Sequence, residues 1–428
     1  MPDTLSETPQ AAHAAAAQSA LVRYFDSAAS TPLRPEAFDA MRPYFDHISA
    51  NPSGHYASAR RAADALTHAH EQIAHILGAI PEEIICCSGG TESINAAIKG
   101  VALAQREAGV GAHIITTAVE HHAVIESVRY LERFGFEVGI IPVDHTGRVD
   151  PQDIFDAIRD DTVLISVMYA NNEVGTIQPI ATIGQMLRDH AQATGRRIPF
   201  HTDAVQAANS LSLDVDTLGV DLLSLSAHKF GGPRGAGILY IRRGTPYLEF
   251  LSGGGQERQR RSGTEDVAGA VGMATALTLA AAEREQFTSR TEHLRARLLA
   301  GIQSTLPEAH ITGAGAGAET RTGAPAPNEP WVEHIPSLLH LCIDGVEGES
   351  IVEALDTQGF ETSAGAACTS ATWEPSHVLL AMDIPLELAI GSLRISLWPT
   401  LTESDIDALI AALPAAIERA RLAAQPAL

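Results

Sequence analysis

The chain is poor in cysteine: four residues in 428, at positions 86, 87, 342 and 368. They are too few and too irregularly spaced for a disulfide framework or a zinc motif. Basic residues are scarce as well, with 29 Lys and Arg against 52 Asp and Glu and a formal net charge of −23. Surfaces that bind nucleic acid or dock on anionic lipid carry a basic footprint, so no direct nucleic acid and no membrane partner is expected. No apolar run reaches the roughly 18 to 20 residues that a membrane span needs. Residues 1–20 lack a basic start and a leucine-rich centre; they read as a disordered tail rather than a signal peptide, and the protein is expected to be cytoplasmic.

What is present is a globular composition, 45% hydrophobic and 19% charged. The length exceeds one ordinary core and implies more than one domain. From about residue 84 to 242, short apolar runs alternate with helical patterns, which signals βαβ units and a mainly parallel sheet. Strands are expected at Ile84–Cys87, His113–Thr117, Val138–Pro142, Val163–Tyr169, Ile198–Thr202, Asp221–Leu225 and Gly237–Ile241, with a helix over Ser93–Leu103. Several of these strands end in polar residues, where open α/β sheets place ligands, so those residues should meet in one crevice. A long alanine-rich helix, Val267 to Ala282, leads through charged helical sequence to Leu306. Beyond a Gly/Ala/Pro-rich surface loop at 313–331, the pattern alternates again and ends in a helix from Glu403. The expected organisation is a tail (1–20), an N-terminal segment packing with the small domain (21–40), a large domain (41–275) and a smaller α+β domain (276–428).

The most informative stretch is Ser226-Ala-His228-Lys229, an apolar strand running into a Ser, a His and a Lys before two glycines. A lysine at the end of a buried strand is placed to be desolvated, which suits Schiff-base chemistry with an aldehyde cofactor. A pyridoxal-type cofactor also needs an acid at its ring nitrogen, phosphate donors and a flat group to stack on. Asp203 lies at a strand end, and Gln206 follows three residues later, within reach of a ring oxygen. Ser88-Gly-Gly90-Thr91 ends a strand and opens a helix, an anion site at a helix N-terminus, and His121 is available to stack. Cys86, Cys87 and Cys342 sit in strand-like runs and read as core residues. Cys368 lies among small and polar residues in Ser363-Ala-Gly-Ala-Ala-Cys-Thr-Ser370, where a thiol is accessible.

Together with Tyr24-Phe-Asp-Ser-Ala-Ala-Ser-Thr-Pro32, Glu120-His-His122, Asn171-Asn-Glu-Val-Gly-Thr176, Gly253-Gly-Gly-Gln-Glu-Arg258, Arg261-Ser-Gly-Thr264 and Val346-Glu-Gly-Glu-Ser350, this ordered series resembles the cysteine desulfurases of the class V aminotransferase group. The resemblance runs almost the whole length. It implies the α/β fold of PLP-dependent transferases, fold type I: a large, mainly parallel-sheet domain that binds pyridoxal 5'-phosphate, and a smaller α+β domain carrying a catalytic cysteine loop. Carried over by position, it makes Lys229 the lysine that holds the aldehyde and moves the α-proton, and Asp203 the partner of the ring nitrogen. It assigns Gln206 to the ring oxygen, His121 to stacking and proton transfer, and Gly90, Thr91, Ser226 and His228 to the phosphate. Thr264 resembles the residue that reaches the cofactor phosphate of a neighbouring subunit, which implies a homodimer. Asn172 and Arg394 resemble the substrate-binding pair, and Cys368 the nucleophile that takes sulfur from L-cysteine as a persulfide.

The long loop after Cys368 resembles that of the group serving iron–sulfur assembly, which implies a sulfur-acceptor protein, either an iron–sulfur scaffold or a thiolation enzyme. Three features depart from the pattern. In Asn51-Pro-Ser-Gly-His55 the histidine comes one position early; Trp373 and Trp398 are bulky; and the 313–331 insertion is long. The rival readings are a selenocysteine lyase or cysteine-sulfinate desulfinase of the same fold, and a cofactor-binding homologue without turnover. Lys229, Cys368 and Arg394 occurring together argue against the last.

Overall fold

A computed structural model describes residues 22–314, 333–365 and 375–423. Cys368, Trp373 and most of the Gly/Ala/Pro-rich loop lie outside the described residues. Strand β1 (Arg23–Tyr24) is followed by β2 (Ile84–Cys87), β3 (His113–Thr117), β4 (Glu137–Ile141), β5 (Thr162–Ser166), β6 (Phe200–Asp203), β7 (Leu222–Ser226) and β8 (Gly237–Ile241). Strands β2 to β8 form a seven-stranded sheet in the order β2-β8-β7-β6-β5-β3-β4. Its pairs are parallel except around β8, which runs antiparallel to both β7 and β2.

Burial explains the near-continuous apolar strands. β3, β5, β6, β7 and β8 are buried along their whole length, as sheets covered by helices on both faces must be. One face packs on helices Ala57–Leu77, Ile180–Thr194 and Val267–Ala282, which contribute Ile73, Ile183 and Leu277 to its core. The other packs on Gly90–Glu107 and His122–Glu132 through Ile94, Ile98, Val124 and Val128.

Helix Arg284–Thr305 leaves this body, and Leu294, Leu298 and Ile302 enter a second core. That core is built on β9 (His310–Ile311), β10 (Leu338–Cys342) and β12 (Ser392–Ser396), in the order β12-β10-β9, and closed by helices Gly348–Asp356 and Glu403–Ala423. β1 pairs in parallel with β11 (Phe360–Glu361), and Phe25 is buried in the second core. Farther along, Thr31 N–H donates to the His228 carbonyl and Arg34 N–H to that of Gly231, so the same N-terminal segment is also stitched to the large sheet.

Several element bounds differ from the sequence expectation. The helix expected at Ser93 starts at Gly90, because Gly89 with φ of 146° turns the chain sharply out of β2. The strand expected at Val163–Tyr169 ends at Ser166, and the one expected at Ile198–Thr202 is Phe200–Asp203. Cys86 and Cys87 are only partly buried, since they end an outer strand of the sheet; Cys342 is fully buried.

Gly237 begins β8 where it passes the Gly89 turn. A methyl group there would lie 2.6 Å from Gly89 backbone atoms. Gly237→Ala is therefore expected to cost about 1–3 kcal/mol of stability by overpacking. Urea unfolding of the two proteins measures it, and an unchanged midpoint would show that the turn relaxes freely.

Candidate active site

The carboxyl ends of the strands meet in a cavity of about 340 Å³ lined by, among others, His121, Asp203, Lys229 and Arg394. β7 ends in a short helical turn, Ala227–Lys229, that carries the lysine inward. Lys229 Nζ donates to the carbonyls of Ala28 at 2.6 Å and Ala29 at 2.9 Å. Both acceptors belong to the N-terminal segment.

Asp203 ends β6 and is 4% exposed. One carboxylate oxygen accepts the Val205 N–H at 3.0 Å. Burial raises its pKa to about 6, partly opposed by that hydrogen bond and by the charge of Lys229. Gln206 lines the same cavity, and its Nε2 donates to Ala28 O at 2.9 Å.

His121 caps helix His122–Glu132, with Nδ1 accepting the Ala123 N–H at 3.0 Å. In a neutral ring the proton therefore sits on Nε2. Burial, then Lys229, lowers its pKa to about 4, and the same two causes bring His228 to about 4. Gly90 and Thr91 open helix Gly90–Glu107 beside Ser226 and His228, offering backbone amides, hydroxyls and an imidazole to an anion. A Cβ on Gly90 would come within 3.1 Å of Val205 and 3.4 Å of Ser226, filling that cradle.

Arg394 leaves β12 and reaches the cavity from the second core, 3% exposed. Its guanidinium donates to Asp26 Oδ1 at 2.8 Å and to the Asn172 carbonyl at 3.0 Å. Its Nε is buried and has no hydrogen-bond partner among the described residues.

Two residues singled out in the sequence lie elsewhere. Thr264 lines a separate cavity of about 120 Å³ beside Cys87 and Arg261. His55 is exposed, does not line the central cavity, and accepts a hydrogen bond from Arg60 at its carbonyl.

The chain matches the model of the class-V aminotransferases over residues 23–409. It belongs to that family. Among curated class-V relatives, a cysteine desulfurase IscS of Dictyoglomus turgidum is 44% identical over 398 residues, covering 93% of this chain and 95% of that protein. One of Methanosarcina thermophila is 43% identical over 398 residues, covering 93% and 92%. Among solved structures, a NifS-like protein aligns with a TM-score of 0.82 at 33% identity over 93% of this chain and 99% of its own. A structure described as SspA in complex with cysteine aligns with a TM-score of 0.73 at 32% identity, over 89% and 100%.

Class-V aminotransferases are built around pyridoxal phosphate, and the residues present fit it: a strand-end lysine, a buried carboxylate, and a glycine cradle with polar donors. The sequence reading did not find four features of this class-V site. Two are the Ala28 and Ala29 carbonyls, which are backbone groups and carry no side-chain signature. The third is Asp26 opposite Arg394; it stood inside a quoted motif, but the pairing spans 368 residues. The fourth is His377, which donates to the Glu120 carbonyl at 2.9 Å and whose ring lies tilted against that of His122, with centroids 4.7 Å apart.

Glu120 is fully buried. Its Oε1 accepts from Thr117 Oγ1 and Met168 N–H, while Oε2 has no partner among the described residues. Burial pushes its pKa from 4.5 to about 8. Because the folded value is raised, the stabilisation from a protonated Glu120 is complete below pH 4.5 and lost as pH rises through about 8. The thermal midpoint of cofactor-free protein is expected to fall over that window, and Glu120→Gln to flatten the fall. An identical pH slope in the two proteins would assign the loss to other groups.

Proposed function

We propose that the protein is a pyridoxal-phosphate-dependent cysteine desulfurase that converts L-cysteine to L-alanine and holds the sulfur as a persulfide on Cys368. The observation that carries the reading is the meeting of Lys229, Asp203, His121 and Arg394 in one cavity. It is supported by the 41–44% identity to curated cysteine desulfurases.

When bound, pyridoxal phosphate supplies an electron sink for the substrate's α-carbon. Lys229 would hold its aldehyde, Asp203 its ring nitrogen and Gln206 its ring oxygen. Gly90, Thr91, Ser226 and His228 would hold its phosphate, with His121 against the ring. The Arg394 guanidinium takes the substrate carboxylate, and its Nε, which has no partner among the described residues, is a donor available to it. Asn172 stands beside it, its carbonyl bonded to the same guanidinium. Lys229 Nζ moves the α-proton. His121 stays neutral at pH 7 and offers an N–H donor at Nε2. The thiolate of Cys368 attacks the substrate sulfur: an S–S bond forms, the Cβ–S bond breaks, and its electron pair stays with the three-carbon fragment, which leaves as alanine after protonation.

Residues 41–275 form the cofactor-binding domain in this reading, and 276–428 the smaller domain bearing the cysteine loop. The enzyme acts as a cytoplasmic homodimer and passes sulfur to an acceptor protein, an iron–sulfur scaffold or a thiolation enzyme. No helix among the described residues is long and apolar enough to cross a membrane. An exposed aromatic patch supports pairing of two copies: Tyr130 and Phe250 flank Lys99, and the Phe134 ring lies tilted against that of Tyr130.

Purified wild-type protein with L-cysteine and a thiol reductant is expected to form equal amounts of alanine and sulfide. Cys368→Ala should keep the visible cofactor absorbance and lose the activity. A mutant as active as the wild type would reassign the enzyme to the lyase or desulfinase reaction, which does not require that thiol. Arg394→Lys, which removes the planar fork, is expected to raise KM for cysteine about tenfold or more with a smaller change in kcat. Steady-state kinetics checks this; an unchanged KM would place the carboxylate elsewhere.

A further inference from the structure

One cluster, buried at two of its three residues and partly buried at the third, has no part in the proposed reaction. His70 on helix Ala57–Leu77, Cys86 in β2 and Glu257 on the loop after Gly255 bring a ring nitrogen, a sulfur and a carboxylate oxygen within 4.8 Å of one another. His70 Nε2 lies 2.9 Å from Glu257 Oε2 and 3.8 Å from Cys86 Sγ. The His70 and Glu257 side chains are 4% and 3% exposed.

The protonation state follows from the neighbours. His70 Nδ1 lies 2.7 Å from the Leu66 carbonyl. A carbonyl only accepts, so Nδ1 carries a proton and, in a neutral ring, Nε2 holds a lone pair. That lone pair faces a carboxylate oxygen, which also accepts. Two acceptors this close need either a shared proton, on the ring or on the carboxyl, or a metal ion between them.

The sulfur favours the metal. A shared proton would satisfy His70 and Glu257, whose Oε2 also accepts the Cys86 N–H at 3.2 Å, and would leave only the Cys86 sulfur without a role, whereas zinc takes nitrogen, oxygen and thiolate sulfur together. Tetrahedral zinc with ordinary bond lengths has N···O and N···S edges of about 3.3 and 3.6 Å, so small side-chain adjustments complete the geometry. A ring N–H given to a backbone carbonyl is the orienting bond that metal-bound histidines make. The adjoining cavity of about 120 Å³ is lined by Cys86, Glu257, Glu265 and Asp266, and offers room for a fourth, water ligand and a route of entry. Its one arginine, Arg261, is already paired with Glu92.

We propose that His70, Cys86 and Glu257 form a structural site for one divalent cation of the zinc type. Binding releases the Cys86 thiol proton and forms a sulfur–metal bond, with no change of oxidation state. The site joins three separate elements and fixes a strained loop: Glu257, Arg258 and Gln259 have φ of 45°, 57° and 62°, left-handed values that residues other than glycine rarely adopt. The same loop continues to Arg261 and Thr264. The proposal does not depend on the reaction assigned to the central cavity.

The test is equilibrium dialysis of the Cys368→Ala holoprotein against Zn²⁺, which removes the catalytic thiol as a competing ligand, with metal content measured after a weak chelator. One zinc per chain is expected to remain, and the thermal midpoint to rise with added zinc. Adding Cys86→Val, which leaves the His70–Glu257 contact in place, should abolish both the retention and the shift. Zinc retained equally by the Val variant, or not retained by the parent, would overturn the proposal and leave His70 and Glu257 as a proton-sharing pair.

Discussion

The Lys229 ammonium, drawn in at the end of a buried strand and clasped by the carbonyls of Ala28 and Ala29, adds its charge to the effect of burial on three neighbouring groups. A positive charge with little water about it acts at long reach. It works together with burial to keep His121 and His228 neutral, and it works against burial at Asp203, favouring the carboxylate. One cation thus helps set the protonation states of three groups of the crevice. The clasp stabilises the charge through two neutral backbone acceptors.

Arg394 meets the same difficulty with a different solution. A guanidinium buried this deeply needs compensation, and Asp26 with the Asn172 carbonyl supplies it in part. A carboxylate arriving in the cavity would complete the set of acceptors around a group already desolvated and aimed. Much of the ordering has therefore taken place before any ligand enters.

The parallel sheet and its functional edge were legible in the sequence because a strand covered on both faces must be apolar throughout, and because its polar residues are then confined to the ends. Lys229, Asp203 and the Gly90 turn stood out for that reason. The start of helix Gly90–Glu107 was misjudged because a glycine at φ of 146° ends one element and begins the next without spare residues. Asp26 and the Ala28 and Ala29 carbonyls were out of reach for another reason. Their partners lie hundreds of residues away or at the far side of the cavity, and backbone acceptors look alike in any sequence. Thr264, recognised by its motif, lines a different cavity of this chain.

Segment 23–34 belongs to both cores at once: Phe25 is buried in the second, β1 runs beside β11, and Thr31 and Arg34 are bonded to the turn after β7. During synthesis this stretch emerges among the first residues of the fold, yet its strand partner lies beyond residue 359 and the arginine that Asp26 neutralises is at 394. The nascent chain must therefore carry β1 and Asp26 without these partners until residues 360 and 394 have been made, because such distant contacts close late. The large sheet can assemble beforehand, but the floor beneath Lys229 is laid last.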